Sequence, residues 1–180
     1  ELTVQMQFAS FNDPYDWYGY QGQGYGIERL EFGDGEVWSV EQMKAAAIID
    51  GREYDDYLTG TSYSETFLGR QGNDVLTGGE GSDTYIYYKG DGSDTIADYS
   101  SIDGETDRLV LKDLVLADVT FWRSETDLMV LVNETGDVVR IENQFSSSTD
   151  GIEHLVFSDG SILNRADFAA YAVNQIGEHT

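Results

Sequence analysis

Polar and apolar positions follow three rhythms along this chain. From Gly51 to Ala97 the period is nine: GREYDDYLT, GTSYSETFL, GRQGNDVLT, GGEGSDTYI and, after a two-residue slip, KGDGSDTIA. Self-similarity at a short fixed period signals a solenoid, in which each unit is stable only when stacked on its neighbours. The first six positions of each unit are rich in glycine, which permits turns at positive φ and leaves main-chain carbonyls unshielded. The last three, such as Val75-Leu76-Thr77 and Thr84-Tyr85-Ile86, read as short strands. A turn and a strand, taken twice, make one coil. Leu58 is then expected to stack on Leu76 in one parallel sheet and Phe67 on Tyr85 in the other, with these side chains inward.

The second rhythm is alternation, or short apolar runs, over 108–111, 119–122, 128–132 and 138–141, with Glu134-Thr135-Gly136-Asp137 as a hairpin turn. The third is helical spacing over 40–48 and 165–173, with Ser39 and Asn164 as N-caps. These helical stretches end two related segments, 1–48 and 138–173. Gly26-Ile27-Glu28-Arg29-Leu30-Glu31-Phe32-Gly33-Asp34-Gly35 matches Gly151-Ile152-Glu153-His154-Leu155-Val156-Phe157-Ser158-Asp159-Gly160. The pattern predicts an all-β chain: a parallel β-roll capped by antiparallel β-rich segments, with two short helices.

The third and fourth nine-residue units fit G-G-x-G-x-D-x-U-x, with U a large apolar residue, at nearly every position. The first unit keeps Asp56 and Leu58; the second has Tyr63 for glycine and Glu65 for aspartate. This stretch resembles the parallel β-roll of the RTX, or haemolysin-type calcium-binding, proteins. The order D-x-L-x-L, V-x-F-x-R, D-L-x-V, G-D-x-V-x-I-x-N-Q-F, G-I-E-x-L-x-F-x-D-G resembles the haemolysin-related domain found beside such repeats. The resemblance implies several bound calcium ions, each taking sixth-position carboxylates from repeats two apart. It also implies carbonyls from positions two and four of the earlier repeat and one and three of the later. One site would use Asp56 and Asp74 with the carbonyls of Arg52, Tyr54, Gly69 and Gln71. A second would use Glu65 and Asp83 with those of Thr61, Tyr63, Gly78 and Glu80. A third would take Asp74 and Asp94 with Arg70 and Gly72, and a fourth Asp83 and Asp107 with Gly79 and Gly81. Strand spacing of about 4.8 Å, set against calcium–oxygen distances of about 2.4 Å, leaves room for one ion between successive turns. The alternative, that Gly and Asp merely make hairpin turns, does not require four units in strict register.

Composition changes this picture in a few places. The 180 residues carry a formal charge of -24, with 34 acidic and 10 basic side chains. That balance excludes nucleic acid as a natural partner. It fits a halophilic or soluble surface, or bound cations that neutralise acids at the repeat positions. There is no cysteine, so stability is expected from a core or a metal rather than disulfides. No apolar run approaches the ~20 residues that span a membrane. The opening Leu2-Thr3-Val4-Gln5-Met6 lies in mid-pattern, so the chain reads as a piece of something longer. Three parts are expected: 1–48 as the tail of a preceding module, 49–107 as the roll, and 108–180 as a C-terminal cap. The N-terminal copy either caps the first coil or pairs with strands of neighbouring modules.

The first copy carries an insertion with Tyr15, Trp17, Tyr18, Tyr20 and Tyr25 among Gly, Gln and Asp. Such rings either stack on a glycan or a protein partner, or pack on their own domain. No catalytic residue is expected. His154 and His179 are the only histidines, and neither has a serine or cysteine partner in a recognisable motif. Paired carboxylates can hydrolyse glycosides, but their nine-residue register fits calcium better. The resemblance implies a secreted or cell-surface protein exported unfolded by a type I system, with this chain as a calcium-dependent structural unit. The other reading is an adhesion or carbohydrate-binding module that uses the aromatic insertion.

Overall fold

The computed structural model describes residues 29–39, 42–43, 47–101 and 104–172. The chain divides into two compact units, Glu1–Ala45 and Ala46–Thr180. In the first, β1 (Arg29–Glu31) and β2 (Val37–Ser39) pair antiparallel, Leu30 opposite Trp38. Phe32 meets Trp38 edge to face at 5.0 Å. Ser39 and Gln42 bond reciprocally: the Gln42 N–H to Ser39 Oγ at 3.3 Å and the Ser39 N–H to Gln42 Oε1 at 2.9 Å. This is a capping box, and Gln42 and Met43 are helical. The helix expected over 40–48 stops short of its end. Ile48 instead opens β3 (Ile48–Asp50), because these residues find a parallel partner in Thr66 to Leu68. The aromatic insertion, with Tyr15, Trp17, Tyr18, Tyr20 and Tyr25, lies outside the described residues, as does His179.

The second unit is the roll and its continuation. Strands β4 (Tyr57–Thr59), β5 (Thr66–Leu68), β6 (Val75–Thr77), β7 (Thr84–Tyr87), β8 (Thr95–Ala97) and β9 (Arg108–Leu111) alternate between two sheets. In one, β4, β6 and β8 pair parallel and bring Leu58, Leu76 and Ile96 into a column. In the other, β3, β5, β7 and β9 do the same for Ile49, Phe67, Tyr85 and Leu109. The expected pairs, Leu58 with Leu76 and Phe67 with Tyr85, are in register. The rings of Phe67 and Tyr85 stack at 5.1 Å and both are fully buried. One inward residue per triplet suffices, because the two columns face each other across the roll and close its core.

Past β9 the chain extends each sheet in turn. A short 3-10 turn (Leu116–Asp118) leads into β10 (Val119–Ser124), β11 (Asp127–Val132) and β12 (Val138–Ile141), an antiparallel meander. Its last strand pairs parallel with β8, placing Ile141 next to Ile96. Then β13 (His154–Val156) and β14 (Ile162–Asn164) form a hairpin whose β13 pairs parallel with β9, Leu155 beside Leu109. Helix α1 (Arg165–Ala172) buries Phe168 and Ala172 in the same core. The apolar end of the roll is thereby covered on both sheets. At the other end β3 and β4 are the edge strands, and Ile48 and Tyr57 are exposed.

The two related segments share more than sequence. In both hairpins the first-strand residue pairs ten positions along, Arg29 with Ser39 and His154 with Asn164. Both turns close with the same main-chain bonds: Phe32 N–H to Glu36 O at 2.8 Å and Gly35 N–H to Phe32 O at 3.0 Å, then Phe157 N–H to Ser161 O at 2.9 Å and Gly160 N–H to Phe157 O at 3.0 Å. An aspartate side chain, Asp34 or Asp159, accepts from the second following N–H in each.

Candidate metal centre

The turns of the roll are stacked so tightly that two glycines are obligatory. Gly72 and Gly81, at position four of their repeats, have φ of 137° and 113°. A Cβ on Gly72 would lie 2.6 Å from the Tyr54 carbonyl carbon, and one on Gly81 would collide with the Tyr63 carbonyl. The same applies at position one, where a Cβ on Gly69 would stand 2.5 Å from Asp74 Oδ2. Bare glycine keeps room between carbonyls and carboxylates that any side chain would fill.

The sixth-position acids line this room in two columns. In the first, the Asp56 N–H donates to Asp74 Oδ1 at 2.8 Å and the Asp74 N–H to Asp94 Oδ1 at 3.0 Å. In the second, the Glu65 N–H donates to Asp83 Oδ1 at 2.7 Å and the Asp83 N–H to Asp107 Oδ1 at 2.7 Å. The structure thus brings together every acid pair expected from the sequence. The links span 18, 20 and 24 residues, so insertions between coils leave the columns intact. Carbonyls of Thr61, Tyr54 and Tyr63 sit against the glycines two repeats on, Gly79, Gly72 and Gly81. The carbonyls of Gly69 and Gly78 face Gly51 and Gly60. Arg70, at φ 70°, holds its turn through two bonds to Asp50, at 2.6 and 2.8 Å. Among the other expected positions, Glu80 accepts a hydrogen bond from the Ser101 hydroxyl at 2.9 Å.

The second oxygens of these acids decide the chemistry. Asp56 Oδ2 accepts from the Arg52 N–H at 2.6 Å, and Glu65 takes the N–H and the hydroxyl of Thr61. Asp74 Oδ2 and Asp83 Oδ2 are buried with no hydrogen-bond partner. A buried, bare carboxylate oxygen is costly unless a cation faces it. Without a metal, burial shifts these acids towards the neutral form. Burial pushes Asp83 up to about 6, against the Glu65 N–H bond that lowers it. Burial likewise pushes Asp94 and Asp107 up to about 7, with neighbouring carboxylates adding to the effect. Asp74 shifts the same way. Hard oxygen donors, negative charge and glycine-lined space fit calcium.

Sequence reasoning missed two acids. Asp98 follows the triplet Thr95-Ile96-Ala97, in the slot where Gly60, Gly69 and Gly78 follow theirs. It is buried, and burial pushes it up to about 8. Glu153 receives the Asp107 N–H at 2.7 Å and so adds a rung to the second column from the C-terminal hairpin. Its presence in both related segments, as Glu28 and Glu153, was the available signal. Arg165 meets Glu153 Oε1 at 3.1 Å and donates to the carbonyls of Gln144, Ser147, Asp150 and Ile152. That rung is therefore closed by a guanidinium rather than by an ion.

Comparison with known proteins agrees with this geometry. Residues 59–96 match the model of the RTX calcium-binding nonapeptide repeat, in four copies. The chain carries RTX calcium-binding repeats. Outside the RTX stretch, residues 127–167 match the haemolysin-type calcium binding protein related domain. Over 83 residues the chain is 37% identical to the iron-regulated protein FrpA of Neisseria meningitidis serogroup C. The alignment covers 46% of this chain and 7% of that protein. RTX repeats bind calcium, and the parallel roll they form is the fold described above. Among the described residues no helix is long and apolar enough to cross a membrane.

Proposed function

We propose that this chain is a calcium-clamped structural module of a large secreted protein, non-catalytic, and folded by calcium after export in an unfolded state. The observation that carries this reading is the pair of buried, unpartnered oxygens on Asp74 and Asp83, set in columns of acids whose other oxygens already bind the backbone. Bound calcium supplies the positive charge those oxygens lack. The ligands are the sixth-position acids Asp56, Glu65, Asp74, Asp83, Asp94 and Asp107, with carbonyls from positions one to four of the same turns. With the acids unneutralised, a chain of charge -24 repels itself, so metal-binding energy becomes folding energy.

Residues up to 47 serve as the tail of one module; the roll begins with β3, one residue before the expected start at 49, and runs to 107, and 108–180 is its cap, in a tandem array that spaces other parts of the protein. The shared geometry of the two hairpins supports this division. Extracellular calcium modules bind at about 0.1–1 mM, which separates a low-calcium cytosol from the outside. The test is a calcium titration of the full chain, starting in chelator and followed by far-ultraviolet circular dichroism. A cooperative gain of β-structure at calcium of this order is expected, with magnesium a poor substitute because it demands a tighter octahedral shell. An unchanged spectrum from chelator to calcium would end the proposal.

A further inference from the structure

The last coil departs from the repeat at Asp98, and the departure builds something. A Cβ on Gly78 would lie 2.6 Å from Asp98 Oδ2, so this carboxylate reaches over the first-position glycine of the preceding coil. There it meets the second column. One oxygen from each of Asp83, Asp98 and Asp107 lies within 4.8 Å of the others, and all three residues are buried. Asp98 Oδ2 accepts the Tyr85 hydroxyl at 2.5 Å. Asp98 Oδ1 has no partner, and neither has Asp83 Oδ2, although the two residues are 1% and 0% exposed. Arg165, the guanidinium bonded to the next acid of the column, is taken up by Glu153 and four carbonyls. Two bare oxygens among three dry carboxylates call for a cation of high charge.

We propose that Asp83, Asp98 and Asp107 form a three-carboxylate cation site, filled by calcium, in which Asp98 is a ligand that the nonapeptide pattern does not contain. The inference rests on the calcium reading of the roll and adds to it. Every other rung offers two acids; this one offers three. Affinity for calcium rises with the number of charged ligands, so this site fills first and discriminates most strongly in favour of trivalent ions. The Tyr85 ring, bonded to Asp98, stands at the site as a built-in sensitiser for terbium.

The test is calorimetric titration of the full chain with calcium at fixed pH and ionic strength, for wild type and Asp98→Asn. Asparagine keeps the volume and an oxygen for the Tyr85 hydroxyl. Wild type is expected to bind one ion at least tenfold more tightly than the rest. Asp98→Asn should weaken that ion by roughly tenfold or more, leave the remaining sites in place, and show the wild-type circular dichroism at saturating calcium. Terbium emission excited through tyrosine should fall at the first equivalent in the variant. A single class of equal sites in wild type overturns the proposal without recourse to any variant. So does a variant that keeps the tight ion. If Asp56→Asn weakens calcium binding while Asp98→Asn does not, only the Asp98 site falls; if wild type binds no calcium, the calcium reading falls with it.

Discussion

Replacing Asp74 by alanine is expected to raise the calcium midpoint for folding about sixfold, against roughly threefold for Glu65→Ala. Asp74 is 1% exposed and stands between Asp56 and Asp94 in its column. Alanine strands the part-buried Asp56 N–H, at a cost of about 1–1.5 kcal/mol. It also takes a carboxylate from each of two proposed ions, at about tenfold in affinity, or ~1.4 kcal/mol, apiece. The loss, about 4 kcal/mol, shared among the four ions whose binding is linked to folding is about 1 kcal/mol per ion, or sixfold in the midpoint. Glu65 is the first acid of its column and serves one ion. Its turn contains the half-exposed Tyr63 in place of a glycine. Its loss amounts to about 2.4 kcal/mol by the same reasoning, or roughly threefold. Both midpoints are read by circular dichroism at one ionic strength, so that general screening is equal. If Glu65→Ala proves as damaging as Asp74→Ala, Asp74 is not shared between two ions.

Three further outcomes follow from the packing and the charges. Phe67→Ala removes a fully buried ring stacked at 5.1 Å on Tyr85 and should cost ~3–5 kcal/mol in denaturant unfolding at saturating calcium; a loss under about 1 kcal/mol contradicts the inward column. Arg165→Ala should lower the melting temperature at saturating calcium, because Glu153 and four carbonyls lose their shared donor, worth roughly 3 kcal/mol; an unchanged melting temperature refutes the guanidinium rung. In chelator, Asp83, Asp94 and Asp107 have folded values raised to about 6, 7 and 7, above the unfolded ~3.9. Their contribution to metal-free stability is therefore full below pH ~4 and is lost as pH rises through 6 to 7. More β-structure is expected at pH 5 than at pH 8 without metal, and equal or reversed spectra would sink this account.

The roll was legible because its period is short and its chemistry is local. Glycine, aspartate and one large apolar residue per nine fix the turn, the column and the core at once, so Leu58 with Leu76 and Phe67 with Tyr85 could be paired by counting. The strands beyond β9 were legible as elements but not as neighbours. Nothing in the spacing says that β12 joins β8 across 45 residues of chain, as the Val138 N–H to Ser93 Oγ bond requires, or that β13 joins β9. Those pairings depend on apolar ends that exist only once the coils are stacked. Ile48 was misread for the same reason: its triplet has helical spacing with what precedes it, yet a parallel strand lies ready at Thr66 to Leu68. Asp98 escaped notice because the motif expects glycine in its slot.

The column bonds connect residues 18, 20, 24 and 46 positions apart with one geometry. Register along the roll is therefore kept by contact and not by chain length. Extra residues are shed at the corners, as between Tyr88 and Asp91 where the chain turns on itself through the Asp91 N–H to Tyr88 O bond at 3.0 Å. Such a molecule is a ruler graduated in coils, each mark about 4.8 Å from the next. It can gain or lose whole graduations, or carry a passenger loop at any mark, while both ends stay as they are; a single residue removed from a triplet would put that triplet's own inward side chain on the wrong face.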